Sequence, residues 1–183
     1  ESVALARSRP GQINFASGGN GTLSHLTMEL FCLTTKIKVE HVPYKGSGPA
    51  TTDLLSGEMQ MMFHILPLSV PHVRANKLRA LAATSLDRSP LLPEVPTMDE
   101  AGLKGFEVTT WYGLFGPAGM PKDIVQKLNA ALDAAVKNAG NAKKLNDQGL
   151  DPAPGTPEAL GSTVVNELAK WGKVVREARV TIN

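Results

Sequence analysis

The hydrophobic and polar positions of the first half of the chain follow two alternating periods. Short apolar or alternating runs, which predict strands, occupy residues 13–16, 38–42, 59–65 and 78–84. Apolar positions three and four residues apart lie between these runs and predict helices. The first helix carries this pattern at Leu23, Leu26, Leu30 and Leu33. Repeated strand–helix–strand units predict an α/β fold with a parallel sheet and right-handed crossovers.

Turn and cap residues mark the ends of these elements. Residues 1–9 have the pattern of the last turns of a helix that Pro10 and Gly11 terminate. Gly57 is placed to cap a helix that starts near residue 48, and prolines bracket a further short helix that ends near Ala75. A chain that opens within a helix is expected to continue a longer protein, so a missing export signal carries little weight.

The second half begins with extended chain and ends in helices. Thr97 and Glu100 have the spacing of a capping box and predict a short helix. The aromatic and β-branched run at residues 108–115 predicts a strand. Its residues Trp111 and Tyr112 either line a cleft or, as is more common for aromatic residues, pack in the core. Helical periodicity dominates from residue 121 onwards. The change predicts a boundary near residue 117, between an α/β part at 1–116 and a helical part at 117–183.

Composition narrows the possible functions. The 183 residues include 19 basic and 17 acidic side chains, a formal net charge of +2, without a run of like charges. This balance argues against a nucleic-acid partner, because proteins that bind nucleic acids normally have basic residues clustered on one face. Cys32 is the single cysteine and is interpreted as a buried, inert thiol. The histidines lack zinc-site spacing, and no metal or cofactor is expected.

A glycine-rich segment between the first strand and the first helix is the first candidate site. It comprises Ser17, Gly18, Gly19, Asn20, Gly21 and Thr22. Glycines allow close backbone approach to a ligand, and the helix that follows offers unpaired N–H groups and the positive end of its dipole to an anion. The segment matches neither a P-loop nor a dinucleotide fingerprint. A plain turn with a helix cap remains the alternative interpretation.

The ends of the second and third strands supply the other candidates. Tyr44, Lys45 and Gly46 form a second turn before a helix, where Lys45 is either an anion contact or a solvated surface lysine. His64 ends the third strand as a ligand contact, a base, a metal ligand or a structural residue. The carboxyl ends of parallel strands share one edge, where open α/β sheets bind ligands. The remaining histidines are interpreted as lone residues, with His25 partly exposed.

Longer motifs resemble a known family. They are ASGGNGTLSHLTMELF at 16–31, HVPYKGSGPATTDLLSGEMQMMF at 41–63, KLRALAATSLDRSPLLPEVPTMDEAG at 77–102 and WYGLFGPAGMPKDIVQKLNAAL at 111–132. Together with the GTPE and KWGKVV segments near the C-terminus, they are similar to the Bug family, the substrate-binding receptors of tripartite tricarboxylate transporters. The likeness covers essentially the whole chain.

The resemblance implies a type II periplasmic-binding-protein fold, in which two α/β lobes close on a ligand. On this basis, residues 1–116 are the second, ligand-binding lobe, and residues 117–183 return to a first lobe whose N-terminal portion is missing. It implies a non-catalytic periplasmic receptor that binds a small carboxylate through residues 17–22 and 44–46 and delivers it to membrane permease subunits. The truncated chain could self-associate to cover its apolar helix faces.

One position departs from the family pattern. The family usually has an aspartate after the third strand, where this chain has His64. The change removes an acidic contact and favours a purely anionic or aromatic acid over a ligand with an amino group. Two alternatives to a transport receptor remain: an effector-sensing domain of a transcription regulator with the same fold, and an enzyme that uses His64 or Lys45 as a base.

Overall fold

The computed structural model describes residues 2–181, so Glu1 of the first predicted helix lies outside the described residues. The chain forms two compact units, residues 1–80 with 169–183 and residues 81–168. The elements in chain order are α1 (Ser2–Ser8), β1 (Asn14–Ser17), α2 (Leu23–Thr35), β2 (Glu40–Pro43), α3 (Ser47–Ser56), β3 (Met61–Met62), α4 (Leu66–Arg74), α5 (Lys122–Lys137), α6 (Ala139–Asp147) and α7 (Pro157–Glu177).

The first unit is built on a three-stranded parallel sheet, as the sequence predicts. The strand order is β2-β1-β3, with β1 at the centre. Phe15 of β1 lies opposite His41 of β2 and Met61 of β3. Phe15 and Ala16 are fully buried, so both faces of the central strand are covered. All three strands therefore end at the same edge of the sheet.

Helix α2 buries a different face from the predicted one. The buried residues of α2 are His25, Thr27, Met28, Phe31 and Thr35, whereas Leu33 is 36% exposed. The expectation that His25 is partly exposed is wrong, because its residual exposure is 5%. Its ring is covered since His25 shares a helical face with Met28 and Phe31, three and six residues later, and this face packs on the sheet.

Two predicted strands do not form among the described residues. Residues 78–84 contribute only an isolated bridge between Ala83 and Thr97, and residues 108–115 lack strand structure. The two segments meet through one backbone bond, from Val108 N–H to the carbonyl of Thr84 at 2.9 Å. A β-branched run becomes a strand only where a partner strand continues the ladder.

The aromatic residues of the second predicted strand are not core residues. Trp111 is 38% exposed and Tyr112 is 75% exposed. The capping box does form, because Thr97 N–H donates to Glu100 Oε2 at 2.8 Å and Glu100 N–H donates to Thr97 Oγ1 at 3.1 Å. It closes a turn instead of starting a helix. Leu92, Val95, Met98 and Phe106 are buried in this unit.

The C-terminal helices form where the periodicity predicts them, but their apolar faces are open. Helix α5 has no buried residue in the described structure, and Ile124, Leu128 and Leu132 are 39%, 46% and 43% exposed. Leu168 of α7 is 68% exposed. No helix among residues 2–181 combines the length and the apolar character needed to cross a bilayer.

Candidate functional site

The candidate site lies at the sheet edge where the three strands end. The glycine loop, residues 17–22, connects β1 to α2, and the tyrosine turn, residues 44–46, connects β2 to α3. His64 follows β3. Because β2 and β3 both pair in parallel with β1, all the candidate residues predicted from the sequence lie on one side of the first unit.

Backbone hydrogen bonds join the glycine loop to the tyrosine turn. Tyr44 N–H donates to the carbonyl of Ser17 at 3.0 Å, and Gly46 N–H donates to the carbonyl of Gly18 at 3.0 Å. Gly19 has φ +134°, and a Cβ there would lie 3.1 Å from the Tyr44 carbonyl oxygen. Only glycine combines this dihedral angle with so close an approach. The two turns therefore form one continuous surface.

Two helices begin at this surface without a side-chain cap. Within residues 2–181, neither Thr22 at the start of α2 nor Gly46 at the start of α3 supplies a side-chain capping bond. Thr22 Oγ1 donates to the Gly19 carbonyl at 2.7 Å, so it serves the loop instead of the helix. The first N–H groups of a helix lack intrahelical acceptors and carry the positive end of its dipole. Two such ends therefore lie side by side.

The glycine N–H groups themselves already have acceptors. Gly18 N–H donates to Ser24 Oγ at 3.2 Å, and Gly19 N–H donates to Ser17 Oγ at 3.1 Å. Gly21 N–H donates to His25 Nδ1 at 3.1 Å. The glycines thus provide space and loop conformation, and the donors left for an anion are the first-turn amides of α2 and α3.

Ser17 is the predicted site residue that the structure removes furthest from solvent. Its side chain is fully buried, and its Oγ lies 2.6 Å from His41 Nε2. A serine and an imidazole at this distance have the spacing of a nucleophile and its base. Because the Ser17 hydroxyl is fully buried, its contact with His41 lies beneath the surface of the glycine loop.

The imidazoles of His25 and His41 form a stacked pair beneath the glycine loop. Their ring centroids lie 3.8 Å apart at an angle of 17°, and the Phe15 ring stacks on His41 at 4.6 Å and lies 6.2 Å from His25. Burial and the neighbouring His25 lower the pKa of His41 to about 4. The interpretation of these histidines as lone residues is therefore wrong. The available signal was that His25 stands four residues after Gly21, within reach of its N–H.

The other side chains at this sheet edge differ in whether they already have a hydrogen-bond or ion-pair partner. Tyr44 donates its hydroxyl to Asp53 Oδ2 at 2.6 Å, and this hydrogen bond, with desolvation, raises the pKa of Tyr44 to about 12. Asn20 and Lys45 are exposed. Lys45 has no ion-pair or hydrogen-bond partner among the described side chains, so its ammonium group is available to an anion.

His64 packs against the first turns of α3. Its Nε2 lies 2.7 Å from Thr51 Oγ1, and Thr51 Oγ1 donates to the carbonyl of Ser47 at 2.7 Å. The Nδ1 atom lies 3.0 Å from the Ile65 carbonyl oxygen. His64 is therefore held against the second turn of α3. No cluster of three potential metal ligands occurs among the described residues.

Comparisons with known proteins agree with this architecture. The family model described as "Tripartite tricarboxylate transporter family receptor" matches residues 1–180. A Pseudomonas sp. (strain P51) protein from the tcbD–tcbE intergenic region is 42% identical over 182 residues, which cover 99% of this chain and 54% of the relative. Protein BugT of Bordetella pertussis is 37% identical over 175 residues, 96% of this chain and 54% of BugT. The chain thus spans about half the length of these relatives.

Two solved structures extend the likeness to periplasmic-binding-protein folds with carboxylates. R. palustris Rpa4515 with adipate superposes with a TM-score of 0.87 at 34% identity, covering 98% of this chain and 60% of that one. MatC from Rhodopseudomonas palustris with bound malate has a TM-score of 0.81 at 36% identity, covering 95% and 60%. The comparisons offer no support for a regulator.

Proposed function

The chain belongs to the tripartite tricarboxylate transporter receptor family, and from this premise we propose that it captures a small carboxylate in the periplasm. The captured acid is then passed to the permease subunits of a transporter of this type. Proteins of the family are substrate-binding receptors, and the proposed role requires no chemical step. Because the chain spans about half of the relatives named above, the activity of a whole receptor is part of this proposal.

The observation that carries the proposal is the pair of uncapped helix starts at one edge of the sheet. The Gly46–Gly18 hydrogen bond of 3.0 Å holds the start of α3 beside the loop that precedes α2. Each helix end stabilises an anion by about 0.3–1 kcal/mol when exposed, and by more when partly buried. Amides that donate to a carboxylate add roughly 1.5–3 kcal/mol each before desolvation and ordering are subtracted. The first-turn amides of both helices thus supply the main donors.

These contacts account for part of a receptor's affinity. Micromolar binding requires about 8 kcal/mol, and about half of this corresponds to a dissociation constant near 1 mM. We propose that the contacts of this chain supply about half of that binding free energy, because they reach a ligand from one side. The 183-residue chain is therefore expected to bind its acid weakly, with a dissociation constant near the millimolar range.

We propose a ligand with carboxylate groups and no ammonium group. The solved relatives contain adipate and malate, which are dicarboxylates. At the sheet edge of this chain, Lys45 offers a positive charge that has no ion-pair partner among residues 2–181. His64 occupies the position after β3 where an acidic side chain would attract an ammonium group. Asp53, a carboxylate beside the tyrosine turn, already accepts a hydrogen bond from Tyr44.

Ligand-observed NMR with adipate and its neutral diamide, adipamide, tests the proposal. The two molecules have the same chain length and similar shape, but adipamide lacks the negative charges that the helix ends would stabilise. We expect saturation transfer to adipate and to malate, and much weaker transfer to adipamide. Equal signals from adipate and adipamide, or no transfer to either dicarboxylate at millimolar concentration, would contradict carboxylate capture by this chain.

The open faces of the C-terminal helices support a second part of the proposal. Ile124, Leu128 and Leu132 of α5 remain 39–46% exposed, and an apolar stripe of this kind is normally covered. We propose that a second copy of the chain covers it when the 183-residue chain is in solution. Sedimentation should show a concentration-dependent dimer that Leu128→Lys weakens. A monomer at all concentrations would remove self-association.

A further inference from the structure

The stacked histidine pair beneath the glycine loop has no direct part in the proposed ligand contacts. His25 comes from α2 and His41 from β2, and their rings lie 3.8 Å apart. The His25 side chain is almost fully buried, so it is inaccessible to a ligand at the surface. Phe15 of β1 packs on His41 at 4.6 Å and lies 6.2 Å from His25, so the three rings form a compact cluster. These ring contacts restrict the orientation of both imidazoles.

Each imidazole is hydrogen-bonded to a different end of the glycine loop. His25 Nδ1 accepts a hydrogen bond from Gly21 N–H at 3.1 Å. His41 Nε2 lies 2.6 Å from Ser17 Oγ, and Ser17 Oγ accepts a hydrogen bond from Gly19 N–H at 3.1 Å. His25 thus binds the end of the loop next to α2, and His41 contacts, through Ser17, the end next to β1.

The geometry also fixes the hydrogen on the His25 ring. Because Nδ1 accepts from an amide, the hydrogen of a neutral His25 ring is on Nε2, which faces Glu29 Oε1 at 3.4 Å. The amide of Gly21 and the carboxylate of Glu29 therefore contact the two different nitrogens of the His25 ring. An apolar side chain at position 25 would fill the space but leave the Gly21 N–H without its acceptor.

We propose that His25 and His41 are positioning residues of the glycine loop. His25 Nδ1 holds the end of the loop next to α2, and His41 Nε2 holds the end next to β1 through Ser17. Together these hydrogen bonds set the loop conformation from which α2 starts. The effect on ligand binding rests on the proposed function, since it requires that the start of α2 contacts the carboxylate. The effect on the loop itself requires only the two hydrogen bonds.

Asparagine and glutamine substitutions test the two bonds in opposite directions. The asparagine side-chain amide overlays the Nδ1 position of histidine, and the glutamine amide overlays the Nε2 position. His25→Asn should therefore keep the acceptor for Gly21 N–H, whereas His25→Gln should lose it. His41→Gln should keep the partner of Ser17 Oγ, whereas His41→Asn should lose it. Each pair differs by one methylene group and serves as its own control.

Amide hydrogen exchange of Gly19 and Gly21, measured by NMR in the 183-residue chain, reports the loop without a ligand. We expect His25→Gln to accelerate exchange of Gly21 by about tenfold, the effect of one lost hydrogen bond, and His25→Asn to leave it nearly unchanged. His41→Asn should accelerate Gly19 in the same way, and His41→Gln should not. Ser17→Ala, which keeps both imidazoles, should accelerate Gly19 alone.

The result that overturns the inference is exchange that does not distinguish asparagine from glutamine at either position, because the rings would then act by packing alone. Adipate affinity, measured on the same variants, separates the inference from the proposed function. If affinity falls only in His25→Gln and His41→Asn, both are supported. If exchange follows the expected pattern and affinity stays constant in every variant, positioning is supported and the loop is not the carboxylate site.

Discussion

Gly46 donates its backbone N–H to the carbonyl oxygen of Gly18 at 3.0 Å, so the residue that starts α3 is bonded directly to the loop that starts α2. Parallel pairing of β1 with β2 makes this contact possible, because it brings the two strand ends to adjacent positions. The bond makes the two helix starts neighbours, and the proposed carboxylate site depends on that relationship.

Substitution of Gly19 should disturb this junction. Gly19→Ala adds a Cβ that would lie 3.1 Å from the Tyr44 carbonyl oxygen, at a residue with φ +134°. We expect a loss of about 1–3 kcal/mol in the free energy of unfolding, the usual magnitude for a strained backbone position. Gly161→Ala is the matched control, because a Cβ there meets nothing within 4 Å and alanine in a helix gains about 0.5–1 kcal/mol over glycine. Equal stability of the two variants in urea denaturation would contradict the junction.

Removing the charge of Lys45 should weaken carboxylate binding without affecting stability. Lys45 is exposed and follows the C-terminal end of β2, whereas Lys38, also exposed, lies before the start of the same strand. We expect Lys45→Ala to weaken adipate binding about two- to fivefold, as for an exposed ion pair. Lys38→Ala should leave it unchanged in the same NMR titration. Equal affinities for the two variants would mean that Lys45 does not face the ligand.

His64→Asp should select against dianions. The substitution places a carboxylate beside the second turn of α3, where Thr51 now contacts the imidazole at 2.7 Å. A like charge beside the bound acid should lower adipate affinity by about tenfold, roughly 1.4 kcal/mol. His64→Asn has the shape of aspartate without its charge and should retain most of the affinity. Unchanged binding by His64→Asp would sink the idea that this position determines the ligand class.

Protonation of His41 should destabilise the chain in acid. Burial and the neighbouring His25 lower the pKa of His41 from 6.5 to about 4. Between these values the unfolded chain binds a proton that the folded chain does not, so the free energy of unfolding decreases as the pH falls from 6.5 towards 4. His41→Gln should remove this part of the pH dependence, as chemical denaturation across that range would show. Parallel pH profiles for the two proteins would contradict the assignment.

The sequence predicts those elements that depend on local signals. Helix α3 begins and ends near the expected residues, and α5 begins where expected, because Gly57 and Pro121 act within one turn of the chain. The prediction of strands at residues 78–84 and 108–115 was wrong, because a strand requires a partner strand that no local pattern reveals. The prediction of the buried face of α2 was also wrong. The leucines give the stronger apolar signal, but His25 and Phe31 are the residues that pack on the sheet.

The candidate site was predictable in its location and not in its hydrogen bonds. Parallel topology alone brings residues 17–22, 44–46 and His64 to one edge. The roles of Ser17 and His41 could not be predicted, because the residues stand 24 positions apart and their 2.6 Å contact depends on the register of β1 with β2. The division at residue 117 stays a prediction about the lobes of a whole receptor.

The most direct measurement of the central claim is a titration of the ¹⁵N-labelled chain with adipate, followed through the backbone amide shifts. If one carboxylate is shared by two helix starts, the largest shifts will fall on residues 22–25 and 46–48, will saturate with one common dissociation constant, and will be absent with adipamide. Shifts at only one of the two helices, or shifts that saturate at different concentrations, would contradict a common site.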